Sequence, residues 1–290
     1  MLTETTPYHW RDIALTALAP MIWGSTYIVT SELLPPDRPF TAALIRVLPA
    51  GLVLLLYTRQ MPARQDLWRL LLLSALNIGI FQALLFVAAY RLPGGLAAVL
   101  GATQPLLIML LAWAVDRRSP LQTTLWSAVI GVFGMAVLLL SPQTIFEPVG
   151  MAAALLGAAS MATGVWLTHR WQLDLPVLSL TGWQLVIGGL ILAPIAWLVD
   201  TPLPPLTLLQ SAAYAYLSLA GALLAYVLWF RGIARLPTVA VASLGLLSPL
   251  AAIVLGWTLL SQSITGTALF SFIIVLASIF AVQWTTVYNR

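Results

Sequence analysis

The chain contains no cysteine and no lysine, and only 8% of its 290 residues are charged. The lack of cysteine excludes disulfide bonds, thiolate metal ligands and a cysteine nucleophile. An ordinary soluble domain has roughly 25% charged residues, so this chain has too few charges to cover the surface of a soluble protein of its size. Hydrophobic residues make up 61% of the chain, which places most side chains in lipid.

Apolar runs of about 20 residues, the length that crosses a bilayer, alternate along the chain with short polar or proline-marked breaks. The first run has no small-residue cleavage site followed by a soluble domain, so it is interpreted as a membrane helix rather than a removable signal peptide. The sequence therefore predicts an all-α integral membrane protein with ten transmembrane helices, at 13–31, 40–58, 67–90, 94–115, 121–140, 149–168, 177–199, 207–229, 238–260 and 266–287.

The thirteen basic residues are all arginine, and their placement predicts the orientation of the chain. Arg38 and Arg91 lie in odd-numbered connections between spans. The termini and the even-numbered connections hold ten others: Arg11, Arg59, Arg64, Arg69, Arg117, Arg118, Arg170, Arg231, Arg235 and Arg290. Because cytoplasmic loops carry the excess of arginine, both termini are expected in the cytoplasm. The arginines are dispersed and form no basic patch, so no nucleic-acid partner is expected.

The tripeptide Arg-Leu-Pro occurs twice, at 91–93 and at 235–237, which is a spacing of 144 residues. Three further pairs have the same spacing: Gly101 with Gly245, Pro105 with Pro249, and Trp113 with Trp257. This register indicates an internal duplication, with residues 1–145 as the first five-helix repeat and residues 146–290 as the second.

Five is an odd number of crossings, so the two repeats are expected to insert with opposite topology. They would then be related by a pseudo-two-fold axis in the membrane plane and form one transport domain around a cavity near the midplane. On the second and seventh spans the register is 138 residues, where Arg46 corresponds to Gln184 and Gly51 to Gly189. A difference in loop length between the halves accounts for the change.

Several motifs follow one another in the order of a known family. They are Trp23-Gly24-Ser25-Thr26-Tyr27 on the first span, Arg46 on the second, the proline helices of Pro105 and Pro249, and Ala225-Tyr226 with Trp229 on the eighth. Over nearly its whole length the chain resembles the ten-helix EamA-type transporters of the drug/metabolite transporter superfamily. The resemblance implies a bacterial inner-membrane exporter of amino acids, other metabolites, pigments or drugs.

The chain departs from that family at one motif. The family commonly has a glutamate shortly after the tryptophan of each proline helix, whereas this sequence has Arg118 and Gln262 there. The role of that glutamate is therefore not carried over to this chain.

Carboxylates are missing from the interior of every predicted span. All nine acids fall in loops or at helix ends: Glu4, Asp12, Glu32, Asp37, Asp66, Asp116, Glu147, Asp174 and Asp200. Intramembrane carboxylates are the usual proton relays and cation sites. We therefore expect either passive transport or coupling through another group. His169 is the alternative titrating side chain, although a plain position at a helix end beside Arg170 explains it more simply.

Arg46 is the one charged residue inside a predicted span, about 9 Å from the start of that span at 1.5 Å per residue. One interpretation is an anchor for a substrate carboxylate, since a guanidinium pairs well with a carboxylate. The other is structural, in which Arg46 is tethered to helix-end carbonyls or to Glu32 or Asp37, or its long stem extends towards the membrane surface. With either role, a positive charge facing the cavity disfavours organic cations.

The predicted cavity is walled by aromatic rings and uncharged polar groups, which suits a flat or amphipathic organic solute. Its expected hinges are the two proline helices, because a proline inside a span removes a backbone hydrogen bond and frees a carbonyl one turn earlier. These hinge residues are Gly101, Pro105, Gly245 and Pro249. The expected substrate-binding residues are Trp23, Tyr27, Arg46, Asn77, Gln82, Gln104, Trp166, Tyr226, Trp229 and Ser248.

Other classes of function have little support in the sequence. No His-Glu-x-x-His motif, buried aspartate pair or nucleophile–base pair lies within a span, so neither an enzyme nor a metal site or cofactor is expected. Rings of charge or a filter loop, which ion channels carry, are also missing. We expect export of amino acids or related zwitterionic and aromatic compounds by alternating access, with drugs or a secondary-metabolite pigment as the alternative. A monomer suffices, because one chain supplies both halves.

Overall fold

The computed structural model describes residues 10–92, 103–117 and 147–259, with scattered further positions in 97–101, 122–133 and 270–284. The described part of the chain is helical and has no strand. Its main helices are α1 (Trp10–Leu33), α2 (Pro39–Thr58), α3 (Arg64–Arg91), α4 (Gln104–Asp116), α5 (Pro148–Trp171), α6 (Val177–Val199), α7 (Leu208–Arg235), α8 (Thr238–Leu244) and α9 (Leu247–Leu259).

Six of these helices, α1, α2, α3, α5, α6 and α7, are long and apolar enough to cross a membrane. They match the first three predicted spans and the sixth to eighth. The eighth span was predicted to end at 229, which is too early, because α7 continues to Arg235 and ends at the second Arg-Leu-Pro. Large apolar side chains cover the outer surface, with Leu56 73% and Trp197 85% exposed, as lipid-facing positions require. The predicted fifth and tenth spans lie almost wholly outside the described residues.

Both Arg-Leu-Pro breaks have the same backbone geometry. Leu92 ends α3 at φ −107° and ψ 147°, and Leu236 ends α7 at φ −113° and ψ 153°. Each leucine amide donates to the carbonyl four residues earlier, at Ala88 and at Gly232, over 2.8 Å. A residue before proline is forced into this extended region, so the helix stops at the same place in each copy.

A π-helical turn interrupts both α3 and α7. The first covers Ala75–Ile80 and the second Leu219–Leu224, so each end of one turn is 144 residues from the corresponding end of the other. π-helical turns are rare and occur mostly as single turns at functional sites. Their recurrence at the spacing of the Arg-Leu-Pro copies was not foreseen from the sequence.

Helices α2 and α6 cross at two glycines. A Cβ atom on Gly51 would lie 2.8 Å from the Cβ of Leu185, and one on Gly189 would lie 2.9 Å from the Cβ of Leu48. Gly51 and Gly189 correspond at the 138-residue spacing. Each glycine thus receives the partner helix at the equivalent position, a reciprocal contact of the kind that two-fold-related surfaces make.

The proline helices are broken close to the predicted hinges. Helix α8 ends at Leu244 and α9 begins at Leu247, and α4 begins only at Gln104, directly before Pro105. The expectation of a free carbonyl at Gly245 was wrong, because that oxygen accepts the amide of Ser248 over 3.1 Å in a tight turn. This bond to the carbonyl three residues earlier replaces the α-helical bond from residue 249 to the carbonyl four residues earlier, which proline cannot make.

Ion pairs join the helices at two opposite ends of the molecule. At one end Asp12 of α1 contacts Arg231 at 2.5 Å and Arg235 at 3.5 Å. At the other, Glu147, just before α5, contacts Arg91 at 3.0 Å. The hydroxyl of Tyr90, beside Arg91, donates to the carbonyl of Pro35, just beyond the far end of α1. The 24 residues of α1 span about 36 Å, so this length separates the two ion-paired ends.

Candidate functional site

A cavity lies between α1, α3, α4, α5, α7 and α9, and Arg46 of α2 reaches it. Helix α3 contributes the C-terminal half, from Phe81 to Ala88, and α5 the N-terminal half, from Ala153 to Met161. Those halves lead to the end of the molecule where Arg91 pairs with Glu147. Tyr226 and Trp229 lie past the middle of α7 towards Arg235, so the cavity occupies the centre of the molecule and extends towards the Glu147 end.

The cavity brings together most of the residues singled out from the sequence. Of the expected substrate-binding residues, Asn77 and Trp166 do not line it. Those that do are Trp23, Tyr27, Arg46, Gln82, Gln104, Tyr226, Trp229 and Ser248, together with the hinge residues Gly101, Gly245 and Pro249. Pro105 is the second residue of α4, and its side chain is outside the described part of the structure.

Gln82 and Tyr226 meet in the wall of the cavity. The side-chain amide of Gln82 donates a hydrogen bond to the hydroxyl of Tyr226, and both side chains are fully buried. The two residues are 144 apart and follow the two π-helical turns at the same distance. The corresponding positions of α3 and α7 therefore lie against each other.

Aromatic rings form the wall next to this pair. The ring centroid of Trp23 lies 5.1 Å from that of Tyr226 and 5.1 Å from that of Trp229, both in tilted or edge-on geometry. Tyr226 also stacks on Phe230 at 5.9 Å. Rings at these distances attract one another beyond their burial alone. They hold a flat apolar surface in place on α1 and α7.

Arg46 is buried beneath these rings and is only 1% exposed. Its Nη2 donates to the carbonyl of Gly221 over 3.0 Å, and its guanidinium lies 5.8 Å from the centre of the Phe86 ring. The indole N–H of Trp23 donates to the same carbonyl over 2.9 Å. Gly221 belongs to the second π-helical turn, and a Cβ atom there would lie 3.6 Å from Nε of Arg46, so the guanidinium packs directly against this glycine.

This placement corrects two expectations for Arg46. The side chain does not extend towards the membrane surface, and no ion pair joins it to Glu32 or Asp37 in the described structure. A backbone carbonyl does hold it, but one from the middle of α7 rather than from a helix end. The guanidinium reaches inwards because the widened π-helical turn presents an acceptor there.

Asn77 has a structural position in the first π-helical turn instead of facing the cavity. Its amide donates to Gln184 over 2.9 Å and to the hydroxyl of Thr168 over 3.3 Å. Residue 221 corresponds to 77 at the 144-residue spacing, and 46 corresponds to 184 at the 138-residue spacing. The contact between Asn77 and Gln184 thus occupies the place that the contact between Gly221 and Arg46 occupies in the other half.

Trp166 likewise lies away from the cavity. Its indole N–H donates to a carboxylate oxygen of Asp116 over 2.7 Å, and Arg170 pairs with the other oxygen of that carboxylate. The guanidinium of Arg170 also covers the Trp166 ring at 5.3 Å. These three residues tie the ends of α4 and α5 together. His169 lies beside them, half-buried and outside the cavity lining.

Two contributions to the cavity were missed by sequence reasoning. Gly221 acts through its carbonyl, and its correspondence with Asn77 was the available signal. Small residues of α5, which sequence reasoning did not place in the cavity, also line it: Ala153, Ala154, Gly157 and Ala158. Their lack of bulk creates the space opposite the aromatic wall.

The charge of the cavity comes from Arg46. Among the described lining residues there is no aspartate, glutamate, histidine or second arginine. The described part of the chain also has no cluster of three or more acidic or histidine side chains that could hold a metal ion. The arrangement can bind an organic molecule by stacking, amide contacts and one buried positive charge.

Comparison with known proteins agrees with this arrangement. A profile of the EamA-like transporter family matches residues 10–140 and, separately, residues 148–284. Protein PecM of Dickeya dadantii strain 3937 is 42% identical over 275 residues, which cover 94% of this chain and 92% of PecM. A chloroplastic WAT1-related protein of Arabidopsis thaliana is 29% identical over 90% of this chain and 67% of its own length.

Two more distant similarities extend the comparison. The uncharacterized inner membrane transporter YedA of Escherichia coli K12 is 26% identical over 81% of this chain and 78% of its own. A solved crystal structure superposes with a TM-score of 0.77 at 16% sequence identity, covering 95% of this chain and 97% of its own. At that identity the likeness concerns the fold alone.

Proposed function

The chain belongs to the EamA-like transporter family and is a multi-pass membrane transporter, and on that premise we propose that it exports small organic metabolites by alternating access. The single observation that carries the proposal is the aromatic cavity between the two halves of the chain, with one buried charge in its wall. Amino acids or related zwitterionic and aromatic compounds are the leading substrates. No reaction is catalysed, in keeping with relatives that bear transporter names.

The proposed architecture is ten transmembrane helices in two inverted five-helix repeats, residues 1–145 and 146–290, which form one transport domain. Support comes from the Arg-Leu-Pro breaks and the π-helical turns, which recur at 144 residues. The reciprocal glycine contacts of α2 and α6 support a two-fold relation between the halves. Opposite insertion of the halves follows from the odd number of spans.

The same relation supplies the mechanism of transport. The two halves would rock about the cavity, with the broken helices at Gly101–Pro105 and Gly245–Pro249 as hinges. The ion pairs of Asp12 and of Glu147 would close the two ends in turn. The cavity extends towards the Glu147 end, so the described conformation fits a state closed at the Asp12 end.

We place the protein in the bacterial inner membrane as a monomer with both termini in the cytoplasm. The excess of arginine in the even connections supports that orientation, and the relative YedA is named an inner membrane transporter. The Asp12 end then faces the cytoplasm and the Glu147 end the periplasm. In this orientation the cavity extends towards the periplasmic side, from which an exported solute would leave.

A second candidate function is export of a drug or a secondary-metabolite pigment. The flat ring wall formed by Trp23, Tyr226 and Trp229 favours it, because such a surface stacks on extended planar molecules as well as on aromatic amino acids. Both candidates use the same cavity and the same alternating motion. They differ only in the solute.

Counterflow in proteoliposomes tests the proposal. Vesicles loaded with one metabolite from a panel of amino acids and planar aromatic compounds should accumulate the same labelled metabolite against its gradient. The variants Gln104→Ala, Tyr226→Ala and Trp229→Ala should each lower that flux while membrane insertion stays normal. Unchanged flux in all three variants would show that the substrate does not bind in this cavity. Absence of flux for every compound would show that the protein does not transport these classes of solute.

A further inference from the structure

Three buried N–H groups of the cavity-lining side chains have no acceptor. Within the described structure, Nε and Nη1 of Arg46 and the indole Nε1 of Trp229 have no hydrogen-bond partner, although both side chains are at most 1% exposed. Buried donors are normally paired, because an unpaired one costs about 1–3 kcal/mol. Three unpaired donors in one wall therefore indicate a ligand that brings acceptors.

Both side chains that carry these donors line the cavity. Trp23 lies between them, since its indole shares the Gly221 carbonyl with Arg46 and its ring packs against that of Trp229. A group bound beside Trp23 can therefore approach both. The guanidinium is charged throughout the accessible pH range, so the preferred acceptor is an anionic oxygen.

Acceptors for a cationic group are scarce in the same wall. The described lining has no carboxylate, and its unpaired buried acceptors, Oε1 of Gln82 and Oγ1 of Thr26, are both uncharged. Reversing the Gln82 amide would pair its oxygen with the Tyr226 hydroxyl and leave a further N–H unpaired. The surplus of donors remains with either orientation, and an ammonium group would enter without a charged partner.

The charge and the net surplus of donors have no counterpart at the corresponding place in the other half, where the unpaired Nε2 of Gln184 is matched by the unpaired Oδ1 of Asn77. At the corresponding place in the other half, Gln184 stands for Arg46 and Asn77 stands for Gly221, and the two amides bond to each other. That contact is neutral and lies outside the cavity lining. Arg46 and Gly221 thus occupy the positions that two amide residues occupy in the other half. With arginine and glycine, the contact carries a charge and lies at the cavity.

We infer that the cavity selects flat aromatic molecules with a net negative charge, whose acidic group binds Arg46 and the indole N–H of Trp229. The inference rests on the transport function proposed above and narrows its substrate class to aromatic acids without an ammonium group. The ring of such a molecule lies against Trp23 and Tyr226. Zwitterionic amino acids bind more weakly, because their ammonium group loses water without gaining a carboxylate.

Three probes with the same ring and different charge test the inference: 3-phenylpropanoate, phenylalanine and phenethylamine. Binding to the purified full-length protein is measured by titration calorimetry. The anion should bind at least about tenfold more tightly than phenylalanine, the effect of about 1.4 kcal/mol, and phenethylamine most weakly. Equal or tighter binding of phenylalanine, or no binding of the anion, overturns the inference.

Variants separate recognition of charge from simple loss of structure. Arg46→Gln, which copies the corresponding residue Gln184, should weaken the anion at least about tenfold and raise the small affinity for phenethylamine, because the charge that repels this cation is removed. Trp229→Phe keeps a ring but removes the N–H, and should weaken the anion several-fold. Trp113→Phe, at an exposed position outside the cavity, is the matched control. An equal loss for all three probes in Arg46→Gln and Arg46→Lys would assign Arg46 a structural role only.

The same probes distinguish failure of this inference from failure of the proposed function. If labelled phenylalanine showed counterflow and the anion showed none, the proposed transport function would stand and selection for anions would be refuted. Phenylmethanesulfonate, which does not cross lipid unaided, serves as the anion in that assay. Counterflow of the sulfonate that disappears in Arg46→Gln is the expected result.

Discussion

The amide of Gln82 donates to the hydroxyl of Tyr226, and these two buried residues stand at the same place in the two halves of the sequence. In the proposed inverted-repeat architecture, a residue that bonds to its own counterpart lies beside the axis that would relate the halves. Both residues line the cavity, so this axis would pass through the site where the solute is proposed to bind. The bond couples the halves where they are proposed to move relative to each other.

Removal of one partner of this bond should destabilise the protein. Tyr226→Phe leaves the buried amide of Gln82 without its acceptor, and we expect a loss of about 1–3 kcal/mol in the free energy of unfolding. Gln82→Leu should cost a similar amount. The double variant should cost clearly less than the sum, measured by thermal unfolding in detergent. Additive losses would show that the bond contributes nothing of its own.

A close contact between α1 and α9 gives a second prediction. A Cβ atom on Gly24 would lie 2.6 Å from the Cβ of Ala251, nearer than two carbon atoms can approach. Gly24→Ala should therefore lower the thermal midpoint and the yield of folded protein, and Ala251→Gly should restore part of the loss. Gly101→Ala is the matched control for stability, because nothing lies within 4 Å of a Cβ there. If Gly24→Ala were as stable as Gly101→Ala, the close contact between Gly24 and Ala251 would be contradicted.

The ion pairs at the Asp12 end should control access from that end. Thr16 is fully buried one turn along α1 from Asp12, against Gly232. Because the chain has no cysteine, Thr16→Cys introduces a single labelling site. Asp12→Asn removes the carboxylate that holds Arg231 and Arg235, so labelling of that cysteine by a water-soluble maleimide should rise several-fold.

Glu147→Gln is the control for that experiment. Glu147→Gln breaks the ion pair with Arg91 at the opposite end. Labelling of Thr16→Cys should therefore be no higher with Glu147→Gln than in the protein that carries Thr16→Cys alone. An equal rise with both variants would mean that each simply loosens the fold. A rise with Glu147→Gln alone would reverse the assignment of the two ends.

Orientation in the membrane is tested with two further single cysteines. Met61, between α2 and α3, and Thr201, between α6 and α7, are both exposed. In intact cells an impermeant maleimide should label Thr201→Cys, while Met61→Cys should react only after the inner membrane is opened. The reverse pattern would place the termini outside.

Transport should persist without a pH gradient. The described cavity lining has no carboxylate or histidine that could carry a proton with the solute. Flux in proteoliposomes should therefore remain when an ionophore abolishes the gradient. A strict requirement for the gradient would contradict this expectation, and loss of that requirement in His169→Gln would then identify the coupling group.

Most of the helices could be predicted from the sequence because lipid imposes a simple rule of length and polarity. The spacing of the duplication also helped to predict that residues as distant in sequence as Gln82 and Tyr226 line the same cavity. The π-helical turns could not be predicted, since a shift in backbone hydrogen bonding leaves no trace in composition. The partner of Arg46 was missed for the same reason, because it is the carbonyl of a glycine inside such a turn.

Trp166 shows a different limit of sequence reasoning. Depth in a span and aromatic character suggested a place in the cavity, yet Asp116 and Arg170 hold its ring at the end of α5. Asn77 was equally plausible by depth, but its amide finds Gln184. Which face of a helix a residue occupies depends on its neighbours in three dimensions, and periodicity within one helix does not identify them.

The lone guanidinium of Arg46 has a consequence for how such a protein can be assembled. A dimer of two identical halves would carry the arginine twice, and the second guanidinium would be buried at the place of Gln184, which in the described structure holds a neutral contact with Asn77. Such a dimer would also have the same residue at positions 77 and 221. In this chain Asn77 bonds through its side-chain amide, whereas Gly221 has no side chain and bonds through its carbonyl. Joining the halves in one gene lets each diverge, so that one copy keeps the structure and the other acquires the charge.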